Sequence, residues 1–226
     1  MWKGVKEKVL YGKLLDGHDV RSTYLLPIFP LPGVVLMPGA VLPLHVFEPR
    51  YRELVAYCVS HDEVFGVATL KPGYESEYHQ SPPVYPSLGV GRVVSFQELP
   101  DGRSNILLQS VGCAQVVDEP PAERSFRQVS CVFQDNDYTG LEKGMRAIRG
   151  LVCRIGAVTD AAGDEARRIL AMDDASLLDI LARKLLSQTR DRLAYLAADQ
   201  VTFRMHLVQE TLADLVLHEC RAAGSC

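Results

Sequence analysis

The segment from Ser22 to Leu44 contains no charged residue and is long enough, by length alone, to cross a bilayer as a helix. It also contains five prolines, which remove backbone donors and break helices: Pro27, Pro30, Pro32, Pro38 and Pro43. The segment therefore predicts turns between short strands, and not a membrane span. The predicted strands cover residues 28–29, 33–36 and 42–47.

Two kinds of sequence follow one another along the chain. β-Branched and aromatic residues separated by turn residues dominate residues 25–133, whereas residues 141–220 contain only apolar stripes of helical period. Strands followed by helices predict an α+β fold rather than alternating βαβ units. A polar stretch at residues 134–140 separates the two. We therefore predict a mobile arm, a β-barrel and an antiparallel helical bundle, over residues 1–23, 24–134 and 135–226.

Local signals place several elements. Pro49 suits the first position of a helix, and an apolar stripe follows it at Tyr51, Leu54, Val55 and Cys58. Asp101 and Gly102 favour a tight hairpin turn. Many short strands around one helix predict a closed or half-closed barrel. In the second part of the chain, the predicted N-caps are Asp174, Thr189 and Asp199.

Charge and cysteine content narrow the function classes. The net charge is −4, and residues 24–134 carry seven Lys and Arg against eleven Asp and Glu. A surface that neutralises phosphates needs a basic surplus, so nucleic-acid binding is not expected. The six cysteines include no Cys-x-x-Cys pair and the start of the chain lacks a secretory signal. These features predict a protein of the reducing cytoplasm.

Several stretches resemble the substrate-binding domain of Lon proteases. Residues 26–31 with 34–39 resemble the opening of that family, and residues 42–52 resemble its most recognisable block. Further matches occur at residues 65–67, 89–91, 101–103 and 105–109. The chain departs from the family hairpin at Ser110 and Cys113, where the family usually has a glycine and then an arginine.

The resemblance implies a PUA-like β-barrel with one inserted helix, followed by a C-terminal antiparallel helical bundle. In the family this unit helps to recognise unfolded or tagged protein substrates, and a related barrel occurs in cereblon. The expected function is therefore a non-catalytic module that recognises proteins or peptides. Its expected partners are unfolded or extended protein segments, and a separate protease or ATPase is a further candidate partner.

The sequence lacks the catalytic patterns of a Lon protease. It has no Gly-x-x-x-x-Gly-Lys-Ser/Thr loop to hold phosphates, and we expect no room for the serine-lysine peptidase domain of the family. We expect no enzyme activity, no cofactor and no metal. Two alternatives stay open: an accessory subunit of an ATP-dependent protease, and an RNA-binding protein, because PUA-like barrels elsewhere bind RNA.

The residues of the family motifs are expected to be structural. His45 is expected to pack at a strand end, and Arg50 and Arg52 to pair with neighbouring carboxylates such as Glu48. The remaining members of this set are Pro30, Gly39, Tyr51, Gly66, Asp101, Gly102 and Arg103. A proline-punctuated loop carries the candidate peptide-binding residues Tyr74, Tyr78 and Tyr85. Aromatic loops often line recognition surfaces, but these tyrosines are equally compatible with covering one end of the barrel.

Overall fold

A computed structural model describes residues 22–74, 80–121, 123–134, 138, 141–158 and 163–222. Residues 1–21 of the predicted arm lie outside these ranges, and so does Tyr78. The chain divides into two compact units, with the boundary between residues 135 and 136. We call the described residues before this boundary the barrel unit and those after it the helical unit.

The barrel unit contains strands and one helix. In chain order these are β1 (Tyr24–Pro32), β2 (Val41–Val46), α1 (Pro49–His61), β3 (Phe65–Leu70), β4 (Ser87–Glu98), β5 (Ser104–Asp118) and β6 (Gln128–Phe133). The sheet order is β2-β5-β4-β3-β1-β6, and β5 also pairs with β6. The second pairing closes β1, β3, β4, β5 and β6 into a ring, while β2 lies outside it. The α+β prediction is confirmed, and the barrel is closed by five of the described strands.

The proline-rich segment forms one longer strand and an irregular crossing. In β1, Tyr24–Pro27 pair only with β6, and Ile28–Pro32 pair only with β3. Each half of β1 therefore has a neighbouring strand on one side only. A proline is tolerated where its missing amide hydrogen would point to the other side. The strand predicted at residues 33–36 is wrong: no strand forms there, because Gly33 and Gly39 adopt left-handed φ angles of 67° and 66°.

Helix α1 packs against one face of the sheet and forms a core separate from the one that the five ring strands enclose. Its stripe Tyr51, Leu54, Val55 and Cys58 is buried, as predicted. The Tyr51 ring stacks on Phe29 of β1 with 4.1 Å between the ring centroids. The core around this stack also contains residues of β2, β3 and β5, namely Val46, Phe65, Val67, Ile106 and Leu108. Strand β4 also packs closely: a β-carbon on Gly89 would collide with the backbone carbonyl of Leu36.

The helical unit contains α2 (Glu142–Val158), α3 (Gly163–Leu170), α4 (Asp174–Leu185), α5 (Thr189–Ala197) and α6 (Val201–Ala222). Helix α6 packs against α2, α4 and α5. Two predicted N-caps are wrong by one residue. Asp173, not Asp174, caps α4 by accepting a hydrogen bond from the Ser176 amide at 2.9 Å. Helix α5 begins at Thr189, with Gln188 in the cap position.

A buried polar cluster lies within the helical unit. The Tyr195 hydroxyl donates to Asp179 Oδ1 at 2.7 Å, and the Tyr138 hydroxyl donates to Oδ2 at 3.2 Å. Arg204, which is also buried, donates from Nε to the Tyr195 carbonyl at 3.1 Å. Burial raises the pKa of Asp179, and the hydrogen bond from Tyr195 partly offsets that rise.

The first prediction tests the close approach of β4 to Leu36. Gly89→Ala should lower the free energy of unfolding by about 1–3 kcal/mol, because the new methyl group meets backbone that cannot rotate away. Gly112 is the matched control: it lies opposite Val90 on β5 and has open space around it. Gly112→Ala should stay within about 1 kcal/mol of wild type. Equal urea midpoints for the two variants would contradict the packing described for Gly89.

The second prediction concerns pH. Because burial raises the folded-state pKa of Asp179, its contribution to stability is present below the unfolded-state pKa and is lost as pH rises through the folded value. Tyr195→Phe removes a donor to the carboxylate and should increase that loss. Urea unfolding should show a deficit of about 1–3 kcal/mol at neutral pH that shrinks in acid. In an Asp179→Asn background the effect of Tyr195→Phe should be independent of pH, and a pH-dependent effect there would assign the titration to another group.

Candidate functional site

Strand β2 is an edge strand. It pairs with β5 in antiparallel register over Val41–Val46, and no strand of the described chain lies along its other side. The Ser110 amide donates to the Ala40 carbonyl at 2.8 Å, just before this register begins. Backbone groups alternate in direction along an antiparallel strand. Those of Leu42, Leu44 and Val46 therefore point to β5, and those of Val41, Pro43 and His45 point to the open side.

The position of Pro43 agrees with this assignment. Proline has no amide hydrogen, so it fits a strand only where the donor is not needed for the ladder. The open edge consequently presents a donor and an acceptor at Val41, an acceptor alone at Pro43, and both again at His45. This pattern follows from the strand order, which the sequence does not reveal.

The side chains of the same three residues lie on the outer face of the sheet. His45 lies opposite Asn105, and Pro43 lies opposite Leu107, so each pair shares a face. A groove of about 440 Å³ runs across this face of β2, β5 and β4. Outer-face residues that line it are Pro43, His45, Ser95, Gln97, Asn105 and Leu107. The groove thus combines amide and hydroxyl groups with apolar carbon.

A chain of polar contacts fixes the His45 ring. Its Nδ1 lies 2.8 Å from Asn105 Oδ1, an oxygen that only accepts, so Nδ1 carries a proton. Its Nε2 lies 3.5 Å from an Arg103 guanidinium nitrogen, which donates. Arg103 in turn holds Asp101, with 2.6 Å between Nε and Oδ2, and this hydrogen bond lowers the pKa of the Asp101 carboxyl. The structure therefore brings His45, Asp101 and Arg103 together at one end of the groove.

The other motif residues lie in the barrel and its turns. Arg50 pairs with Glu48 at 2.9 Å, as expected from the sequence. Arg52 instead lies against Gly102, the hairpin glycine with a φ of 77°. Pro30 is buried in β1 opposite Ala68. A β-carbon on Gly66 would lie 3.1 Å from Leu88 Cδ1, so these positions serve close packing.

The described parts of the tyrosine-bearing loop, residues 71–74 and 80–86, lie where β3 ends and β4 begins, away from the groove. Val84 forms a bridge with Leu70, and the first residue of β4 pairs with Gln115 of β5. Tyr74 is 41% exposed, whereas Tyr85 is partly covered, with Lys71 Nζ 6.0 Å from its ring centroid. The structure does not bring either tyrosine to the groove beside His45.

A second hollow of about 230 Å³ lies between the end of α1 and β4. Arg92 of β4 forms an ion pair with Asp62 there. Exposed apolar side chains surround this pair: Val59, Val94 and Phe96. This hollow is smaller than the outer-face groove and does not adjoin the open edge of β2.

The described residues contain no group of three or more His, Cys, Asp or Glu side chains that could hold a metal ion. Burial raises the pKa of Cys58 to about 12 and that of Cys131 to about 11, so neither thiol is a reactive nucleophile. None of the described helices combines the length and apolar character that crossing a membrane requires.

A family model described as the ATP-dependent protease La (LON) substrate-binding domain matches residues 25–214. The chain belongs to this family. Lon protease 2 of Herpetosiphon aurantiacus is 27% identical over 177 residues, which is 76% of this chain and 22% of that protein. Cereblon of Xenopus tropicalis is 33% identical over 76 residues, covering 34% of this chain and 17% of cereblon. The chain thus spans under a quarter of the length of either relative.

A solved structure supports the same fold. The Lon N-terminal domain protein from Xanthomonas campestris aligns with a TM-score of 0.60 and 24% identity, covering 84% of this chain and 98% of that one. The family model confirms the resemblance to the Lon substrate-binding domain, and the solved structure confirms its fold.

Most of the groove was not predicted from the sequence. His45, Asp101 and Arg103 are motif residues, but their neighbours Asn105, Gln97, Ser95 and Leu107 carry no such signal. One available signal was Pro43, which restricts where β2 can stand in a sheet. The second was the predicted strand at residues 42–47, because side chains two positions apart on a strand, such as Pro43 and His45, share a face.

Proposed function

We propose that this member of the Lon substrate-binding domain family binds extended segments of unfolded proteins and has no catalytic activity of its own. The observation that carries the proposal is the open edge of β2 beside the outer-face groove. Backbone groups at Val41, Pro43 and His45 offer contacts that do not depend on side-chain identity, as recognition of many unfolded sequences requires. The groove adds apolar and amide surface next to them.

The composition of the groove fits a protein ligand rather than RNA. Its lining contains no Asp, Glu, Lys or Arg side chain, and the nearby Arg103 is already paired with Asp101. Sequence-independent RNA binding needs several cations facing phosphates. Exposed Tyr74 at the far end of the barrel supplies a second possible contact for a long unfolded chain.

The absence of catalysis is part of the proposal. The aligned length is 22% of Lon protease 2 from Herpetosiphon aurantiacus, and the matching family model describes a substrate-binding domain alone. Because that family takes its name from an ATP-dependent protease, a role as accessory subunit of a separate protease or ATPase is the second candidate. Cys58, Cys113, Cys131 and Cys153 are free thiols, which supports a reducing cytoplasm as the place of action.

The third prediction tests recognition with one polypeptide in two states. Fluorescently labelled ribonuclease A, reduced and blocked with iodoacetamide, should show saturable binding in fluorescence anisotropy. Native ribonuclease A, with the same sequence but its strands already paired, should not bind. Incubation with the unfolded form, with and without ATP, should leave it uncut on gels. Equal binding of both forms, no binding of either, or fragments that appear with the pure protein would each refute the proposal.

A further inference from the structure

The open edge of β2 specifies how a segment would bind, not merely where. We propose that the bound segment adds to the sheet as a new strand along β2, pairing through its backbone with Val41, Pro43 and His45. This inference rests on the proposed function and adds the binding mode. Alternate residues of the segment would donate amide hydrogens to these three carbonyls. Its own carbonyls would accept from the Val41 and His45 amides.

Pro43 argues against a second copy of this chain as the occupant. If two β2 strands paired in antiparallel register about Pro43, each Pro43 carbonyl would face the Pro43 nitrogen of the other strand, which has no hydrogen to donate. Registers shifted along the edge would still place each Pro43 opposite a carbonyl that expects a donor. An unpaired carbonyl removed from water carries a desolvation penalty. A foreign strand with an amide hydrogen opposite Pro43 satisfies the Pro43 carbonyl and leaves only one carbonyl of its own without a donor, whereas two β2 strands paired about Pro43 leave two.

The side chains along the edge define the class of segment. On the outer face, exposed Val41 and Pro43 are followed by His45 and by exposed Phe47, whose ring stacks with His45 at 6.2 Å between centroids. On the opposite face, Leu42 and Leu44 are only partly covered and pack against the core beneath α1. Residues opposite one another on paired strands share a face. A bound segment therefore gains apolar contacts on both faces.

A segment with apolar residues on both faces is the kind of strand that folded proteins bury in the middle of a sheet. Such strands become accessible when a protein unfolds. Proline would be excluded from alternate positions of the segment, because there it would remove the donor that the β2 carbonyls need. The geometry thus points to proline-poor, apolar, extended segments as the ligand class.

The experiment uses short overlapping peptides from ribonuclease A, with blocked cysteines, to find the tightest-binding segment. That peptide is then made in two backbone N-methylated forms, one methylated at odd positions and the other at even positions. Both keep every side chain. Strand addition predicts that one form binds roughly tenfold or more weakly than the parent and that the other stays within about twofold, because amides on a strand alternate in direction.

Two protein variants give an independent readout. His45→Ala and His45→Pro both remove the imidazole, but only His45→Pro removes the amide hydrogen that points to the open side. The amide does not serve the pairing with β5, so the barrel should still fold, as circular dichroism and melting would verify. His45→Pro should bind the parent peptide roughly tenfold more weakly than His45→Ala. If His45→Pro fails to fold, the methylated peptides alone decide.

The outcomes separate the two proposals. Unfolded ribonuclease A that fails to bind overturns the proposed function and the binding mode with it. Unfolded protein that binds while every short peptide fails, or while both methylated forms lose affinity equally, overturns strand addition only. Equal affinities of folded His45→Pro and His45→Ala would do the same.

Discussion

Strand β5 is the element on which the barrel unit depends, because it pairs with three others. Strand β4 follows it from Ser104 to Gln115, β2 pairs with its first part, and β6 pairs with its last part. Shifts of register in the pairing with β4, between Val90 and Gly91 and again between Val93 and Ser95, let the pair bend. The last part of β5 thus closes the ring by pairing with β6, and its first part pairs with β2, which lies outside the ring. Because β2 pairs only with β5, its other edge is open.

Helix α1 and the hairpin turn were predictable from the sequence because their signals are local. The stripe from Tyr51 to Cys58 has a helical period and needs no knowledge of distant residues. Gly102 has the positive φ that an Asp-Gly turn favours. No local signal predicted that β5 would run without a break from Ser104 to Asp118. Its continuity depends on partners that are remote in sequence, which periodicity does not reveal.

The candidate site also depends on contacts between residues that are remote in sequence. His45, Asp101 and Arg103 stand out as residue types, yet their meeting depends on β2 lying beside β5. Asn105, which orients the His45 ring, has no distinctive sequence pattern. The open backbone edge is invisible to any reading of residue types, since it consists of groups that every residue except proline carries. A recognition surface made of backbone can therefore be found only after the strand order is known.

Pro43 has two consequences that are usually in conflict. An open edge strand with apolar side chains tends to pair with any other strand, including a second copy of itself, and natural proteins block such edges with proline or charge. Pro43 removes one donor and so disfavours self-pairing, in which both strands would lack it. It leaves every carbonyl of the open side in place, and those are the groups that a foreign segment with intact amides can use. A charged residue at this position would protect the edge equally well, but it would place a charge beside Leu107 in the groove. Proline protects the edge without adding charge, which keeps the groove suitable for apolar segments.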